Sequence, residues 1–180
     1  MKRSFLLLAA AALAFSSKAQ DIQKNAIKIN PMSLLVKTGN ISYEREVKEG
    51  QTFQVGAFYT GLSISDFKYA GYGITPEYRF YFGGQKQSFN GGYVAPFVRY
   101  QNFTISDKES DNEAGFSTIG GGAIVGWEKR YKSGFVLDIF AGPSYNNVNF
   151  KNKAKEDEFE IKGGIKGFGL RTGIAIGFGF

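Results

Sequence analysis

Seven of the charged residues within the apolar and aromatic segments of this chain are the first candidates for chemistry. They are four carboxylates and three arginines: Glu44, Glu77, Glu128, Asp138, Arg79, Arg99 and Arg171. Buried charges must be paired, and arginine pairs well with carboxylates because two N–H groups can reach two oxygens. If one interior encloses all seven, they form either a gate or proton path, or a plug of structural ion pairs.

Histidine and cysteine are both absent from the sequence. Histidine is the usual general base at neutral pH and the commonest metal ligand, so Ser-His and Cys-His catalysis and ordinary zinc sites are excluded. The acidic run from Asp107 to Glu113 resembles the start of a calcium loop, but Asn112 replaces the required glycine and Thr118 replaces the bidentate glutamate. We therefore predict a solvated loop there, and no catalytic residue, cofactor or metal site in the chain.

Two glycine-rich stretches, 120–122 and 163–169, look superficially like phosphate-binding loops. Neither precedes a predicted helix or a Gly-Lys-Ser/Thr sequence, as a phosphate-binding loop would. We attribute these glycines to curvature and to close packing in an interior.

The stretch from Gly167 to Phe180 indicates which elements must position the charges. Its residues alternate strictly between large apolar side chains, apart from Thr172, and small or charged ones, a period of two that predicts a strand. One face is apolar with aromatic ends, and the other holds glycines, Ala175 and Arg171. This pattern suits a strand between lipid and a polar lumen.

Eight segments with apolar and aromatic alternation follow one another between turn sequences. They are Asn25–Val36, Ile41–Val47, Thr52–Ser65, Tyr72–Phe82, Tyr93–Ser106, Phe116–Tyr131, Phe135–Phe150 and Gly167–Phe180. The predicted fold class is all-β, an eight-stranded antiparallel up-and-down transmembrane β-barrel formed by residues 20–180. Because an eight-stranded barrel is just wide enough for side chains to fill, we favour the ionic plug over the gate.

Four prolines lie inside these predicted strands: Pro31, Pro76, Pro96 and Pro143. Proline has no amide N–H to donate to a neighbouring strand. We therefore expect bulges or local register shifts at these positions.

The first 19 residues read as a secretory signal peptide. Lys2 and Arg3 precede an apolar run, Phe5–Phe15, and a small-residue cleavage site ends at Ala19. Cleavage removes three of the 22 basic residues and none of the 16 acidic ones, so the net charge falls from +6 to +3. Nucleic-acid binding gains no support from this charge.

The connections between the predicted strands alternate in length, counting back from the last strand, with two exceptions: the first connection, 37–40, is short for an outer loop, and the fourth, 83–92, is long for an inner turn. Long outer loops and short inner turns are typical of outer-membrane barrels, so we expect both termini to be periplasmic. Aromatic residues cluster at the predicted membrane borders, among them Trp127 and Phe135 on the inner side and Tyr145 and Phe168 on the outer side.

Residues 30–35 (NPMSLL) and 38–45 (TGNISYER) resemble an uncharacterised family of small outer-membrane β-barrels that carries no assigned activity. The wider class, from Gram-negative bacteria, includes OmpX and the membrane domain of outer-membrane protein A. The resemblance implies a monomer in the cell outer membrane, in contact with lipid and lipopolysaccharide. Ile174, Ile176, Phe178 and Phe180 also resemble the C-terminal signal that the outer-membrane assembly machinery reads.

Three hypotheses for function follow. The first is a non-enzymatic barrel with a structural, adhesive or interaction role through its outer loops. The second is a membrane-barrel enzyme, which the missing histidine disfavours. The third is a periplasmic, lipocalin-like barrel that binds a small molecule, in which Arg79, Glu128, Asp138 and Arg171 face outward and the aromatic residues face inward.

Overall fold

The computed structural model of the protein describes residues 24–64, 67–82, 88–107, 113–150 and 166–180. Eight antiparallel strands follow one another around a closed barrel, and β8 pairs with β1. The strands are β1 (Asn25–Ile29), β2 (Thr38–Lys48), β3 (Gln51–Ile64), β4 (Phe67–Phe82), β5 (Asn90–Asp107), β6 (Glu113–Arg130), β7 (Phe135–Phe150) and β8 (Gly167–Gly179). The predicted fold, a closed up-and-down barrel of eight strands, is confirmed.

The alternation in sequence becomes an alternation between the two faces of the barrel. In β4, Glu77, Arg79 and Tyr81 are buried inside, whereas Phe80 and Phe82 are exposed outside. Successive side chains of a strand point to opposite faces, so one shift in parity would exchange the two sets. The lipocalin-like alternative required the opposite parity, and the structure contradicts that requirement.

A 3₁₀ helix, Pro31–Val36, replaces the second half of the first predicted strand. Proline suits the start of a helix because its φ is fixed and its missing N–H is not needed there. The Asn30 side chain accepts a hydrogen bond from the Met32 amide at 3.0 Å, and Lys37, with φ of 51°, ends the helix. The prediction that Pro31 lies within a strand was wrong, and the second strand begins at Thr38 and not at the predicted Ile41.

The other three prolines lie in strands without shifting the register. Pro76 pairs with Val55, Pro96 with Ala123 and Pro143 with Leu170, and the pairing on both sides of each proline keeps one register. Proline lacks its backbone N–H, so it loses one hydrogen bond, and only to one of its two neighbouring strands. The expected bulges are therefore absent from these positions, and a shift in register occurs instead between Glu46 and Lys48 of β2.

The glycine run 120–122 lies where neighbouring strands approach closely. A Cβ atom on Gly122 would lie 2.2 Å from the Pro143 carbonyl oxygen, and one on Gly120 would lie 2.5 Å from that of Tyr145. Glycine is needed because a side chain would collide with the adjacent backbone. The interpretation of close packing holds for this run, whereas Gly163 and Gly164 lie outside the described residues.

The start of β1 and the end of β8 lie at the same end of the barrel, which we call the end of the termini. The amide of Asn25 donates to the Phe180 carbonyl at 3.0 Å, and the amide of Phe180 donates back to the Asn25 carbonyl at 2.9 Å. The turns at Gly50 and Gly134, with φ of 70° and 86°, lie at this end, and the 3₁₀ helix lies at the other. The predicted signal peptide, residues 1–19, and most of the acidic run, 108–112, lie outside the described residues.

Aromatic residues pack inside the barrel beside the charged side chains. Tyr81, Tyr93, Ala95, Phe97 and Ile124 form one buried cluster, against which Phe140 packs. Ala26, Phe89 and Val136 form a second cluster near the termini. Within the described ranges, no helix is long and apolar enough to cross a membrane.

Candidate functional site: the charged lumen

Six charged side chains meet in the middle of the barrel, and each is at most 1% exposed. They project inward from five different strands and form what we call the lumen network: Lys28, Glu44, Glu77, Arg79, Glu128 and Asp138. Strand parity directs each of them into the lumen, and barrel closure brings them together.

Arg79 touches all four carboxylates of the lumen network. Its Nε donates to Glu77 Oε1 at 2.6 Å, and its Nη1 donates to Glu128 Oε2 at 2.7 Å and to Asp138 Oδ2 at 2.8 Å. Nη1 also lies 3.3 Å from Glu44 Oε2. One cation thus links its own strand, β4, to three others, β2, β6 and β7.

Lys28 is the second cation of the lumen network. Its Nζ donates to Glu128 Oε2 and Asp138 Oδ2, both at 2.9 Å, and it also pairs with Glu44. Lys28 and Arg79 therefore share the same three carboxylates. The two cations offset two of the three negative charges in a buried region, where an unpaired charge would be costly.

Neutral hydroxyl groups add hydrogen bonds to three of the carboxylates, Glu44, Glu128 and Asp138. Tyr81 lies within hydrogen-bonding distance of Glu44 Oε1 (2.9 Å) and Glu128 Oε2 (3.1 Å), and Tyr93 donates to Asp138 Oδ1 at 2.8 Å. The Thr52 hydroxyl also donates to Glu44. The Arg79 guanidinium lies 4.3 Å from the centre of the Tyr93 ring, so the same tyrosine contacts both a cation and an anion.

The structure brings six of the seven predicted residues into one connected group. Arg171 joins it through Glu77, whose Oε2 lies 2.7 Å from Arg171 Nη1. Arg99 lies apart: its Nε donates to Thr75 Oγ1 at 3.3 Å, and no described carboxylate is within ion-pairing distance. Arg99 and Arg171 both lie over the Phe97 ring.

Sequence reasoning missed Lys28, although its position carried a signal. In the short strand β1, Ile27 and Ile29 face outward while Ala26 and Lys28 face inward, which is the same alternation as elsewhere. It also missed Tyr93 and Thr52 as partners of the carboxylates. The type of a hydroxyl residue does not reveal its partner, since that depends on the register of other strands.

The geometry of the lumen network favours charge compensation over metal binding. Two cations separate the carboxylates, and among the described residues no group of three acidic side chains is arranged to hold a metal ion. Two buried atoms, Arg79 Nη2 and Glu128 Oε1, have no hydrogen-bond partner among the described residues. The arrangement can hold strands together electrostatically from inside the barrel.

The residues of the predicted C-terminal signal lie on β8 and just after it. Ile174 and Phe178 are exposed on the outer face, and Ile176 and Phe180 are half-buried. Phe180 is held by its backbone hydrogen bonds to Asn25. The four side chains share the outward parity of β8.

The chain is thus a small, closed eight-stranded β-barrel with a charged interior and an apolar exterior. Two solved structures share this fold. The N-terminal β-barrel domain of Pseudomonas aeruginosa OprF matches with a TM-score of 0.53 and 14% identity, over 88% of this chain and 98% of that one. Neisserial surface protein A (NspA) matches with a TM-score of 0.53 and 12% identity, over 87% of this chain and 95% of that one.

The chain belongs to the DUF3575 family, described as a protein of unknown function, which matches residues 5–166. This match confirms the predicted resemblance to an uncharacterised family of small barrels. No curated protein matches the chain in sequence.

Proposed function

We propose that the protein is an integral outer-membrane β-barrel of a Gram-negative cell envelope with a non-enzymatic role. The observation that carries this proposal is the combination of a closed barrel, an apolar outer face and a charged, tightly paired interior. A closed barrel satisfies its backbone hydrogen bonds internally, which a strand in lipid requires. The outer face would contact outer-membrane lipid and lipopolysaccharide.

The lumen network acts as a structural plug in this proposal. Its ion pairs fill the middle of a barrel that has little room for a water channel. The loops at the end of the barrel opposite the termini then perform the role of the protein. That role is structural, adhesive or an interaction with other molecules. We propose that the protein works as a monomer, without cofactor and without nucleic acid as a partner.

The lengths of the connections support periplasmic termini. The connections at the end away from the termini have 8, 2, 5 and 16 residues, whereas those at the terminal end have 2, 7 and 4. Outer-membrane barrels carry their longer connections outside. The 3₁₀ helix, with Leu35 78% exposed, would then lie at the outer leaflet.

Membrane integration is tested by washing cell envelopes with alkaline carbonate. We expect the mature protein to remain in the membrane pellet and to migrate faster on a gel when unheated, because a closed barrel resists detergent unfolding. A protein that is washed into the aqueous phase and needs no detergent would contradict the proposal.

We also propose that Phe180, with Phe178, Ile176 and Ile174, is read by the outer-membrane assembly machinery. Deleting Phe180 should reduce the amount of protein in the outer membrane. Phe135→Ala is the matched control, since Phe135 is an exposed aromatic residue at the same end of the barrel. Equal outer-membrane levels of the deletion variant, the control and the wild type would contradict this signal.

A further inference from the structure

A polar cavity of about 240 Å³ lies on the side of the lumen network away from the termini. Its lining includes Arg99, Arg171, Gln54, Thr75 and Phe140. The residues come from five strands, β3, β4, β5, β7 and β8, that carry them to the same level of the lumen. This volume is small for a drug-sized molecule, and it suits a compact polar group.

Two arginines supply the charge of this cavity. Among the described residues, Arg99 donates one N–H to Thr75, and Arg171 donates one N–H to Glu77. A guanidinium has five N–H groups, so both retain donors. The Arg171 side chain is 10% exposed, and it therefore remains reachable from the cavity.

Both guanidinium groups pack against the same aromatic ring, that of Phe97. The Arg99 and Arg171 guanidinium carbons lie 5.6 Å and 4.5 Å from the centre of the Phe97 ring, and that of Arg171 lies 4.9 Å from the Phe140 ring. Two like charges repel each other, and an anion between them would offset that repulsion. Stacking on the rings restricts their motion before any ligand arrives.

Among the described residues that line the cavity, the one carboxylate, Asp138, is already engaged. Asp138 accepts from Tyr93 through Oδ1, and from Lys28 and Arg79 through Oδ2. Gln54, which is 4% exposed, lines the same cavity, and its Oε1 accepts no hydrogen bond from any described residue. The cavity thus offers cationic donors together with a free acceptor.

We propose that this cavity binds a compact oxyanion that also carries a hydroxyl group. Arg99 and Arg171 donate to its oxygens, and Gln54 accepts from the hydroxyl. Dihydrogen phosphate is the simplest such species, and a phosphate monoester of a membrane lipid, such as that of lipid A, has the same chemistry when it carries one proton. This site goes beyond the proposed structural plug, because it uses the N–H groups of Arg99 and Arg171 that donate to no described residue.

The test is calorimetric titration of the purified, folded mature protein in a phosphate-free maltoside detergent, with inorganic phosphate as the probe. We expect saturable binding by the wild type and about a tenfold or greater loss of affinity in Arg99→Gln, because one charge-assisted donor group is lost. Arg45→Gln is the matched control, since Arg45 is exposed on the outer face. It should bind phosphate as the wild type does.

A second variant keeps both arginines and fills the cavity instead. A Cβ on Gly56 would meet its neighbours at an ordinary 3.8 Å, so Gly56→Leu should fold and should abolish binding by occupying the space. Heat-modifiable gel mobility verifies that each variant is folded. The absence of saturable binding by the wild type, or equal affinity in Arg99→Gln, Gly56→Leu and the wild type, would overturn the proposal.

A competition arm identifies the source of the anion. If purified lipid A displaces phosphate, the natural ligand is a lipid phosphate; if it does not, the ligand is a free anion. Both results uphold the site. Since the titration uses detergent-solubilised protein, its outcome is independent of whether the carbonate experiment supports an outer-membrane location.

Discussion

At the scale of single residues, Arg79 is the side chain on which the interior depends most visibly, because it touches every carboxylate of the lumen network. A buried ion pair adds little net stability compared with a hydrophobic pair, since both charges lose their hydration. Removal of one partner is different, because the remaining charge stays buried without compensation. The lumen network is therefore expected to be sensitive to single substitutions.

Arg79→Met should lower the free energy of unfolding by about 3–5 kcal/mol, because four buried carboxylates would be left with Lys28 and Arg171 as partners. Urea unfolding in lipid vesicles, followed by the fluorescence of Trp127, measures the effect. Arg45→Met is the control for loss of an exposed charge, with an expected change below about 0.5 kcal/mol. A loss for Arg79→Met as small as that of the control would contradict a structural plug and favour a gate.

At the scale of elements, the 3₁₀ helix Pro31–Val36 is an insertion that the strand pattern does not require. It is apolar, with Met32, Leu34, Leu35 and Val36 all exposed. Its two ends are held by Asn30 and by the backbone of Lys37, whose N–H reaches the Ser33 and Leu34 carbonyls. The helix thus depends on local hydrogen bonds for its conformation.

Asn30→Ala should destabilise this helix by about 1 kcal/mol, because the Met32 amide loses its side-chain acceptor. Hydrogen exchange at the Met32 amide should become faster while the strands keep their protection. Asn147→Ala, at an exposed position of β7, is the matched control and should leave this amide unchanged. Unaltered exchange at Met32 in Asn30→Ala would show that the cap does not hold the helix.

At the scale of the whole molecule, closure of the barrel depends on its shortest strand. β1 has five residues and pairs with β8 only through Ala26–Ile29. The Gly177 position at this seam is crowded, since a Cβ there would lie 2.1 Å from the Ile27 carbonyl oxygen. The seam between β1 and β8 is therefore the place where a small steric change should affect the whole fold.

Gly177→Ala should lower stability by about 1–3 kcal/mol, because the added methyl group pushes the two backbones apart. The temperature at which the barrel loses its fast gel mobility reports this change. Gly61→Ala is the control, since a Cβ there meets nothing within 4 Å. If Gly177→Ala loses its fast gel mobility at the same temperature as Gly61→Ala, the result would contradict the crowding at the seam.

Much of the fold could be predicted from the sequence because strand parity is a local property. Alternation over a few residues was enough to assign Glu77, Arg79 and Arg171 to the inside and Phe80 and Phe178 to the outside. The boundaries were less predictable. Pro31 is followed by Met32–Val36, which is apolar apart from Ser33 and does not alternate, and such a run does not distinguish a strand from a short helix.

What the sequence determined by itself is therefore the face on which each side chain lies. Which charges meet was decided only by the tertiary structure, because partners depend on the register between strands and on closure of the barrel. Lys28 and Asp138 are 110 positions apart and touch across the lumen, while Arg99, of equal parity and charge, meets a threonine instead. The face on which a side chain lies is set within one strand, whereas the position of a charge along the barrel axis depends on the register of all eight strands.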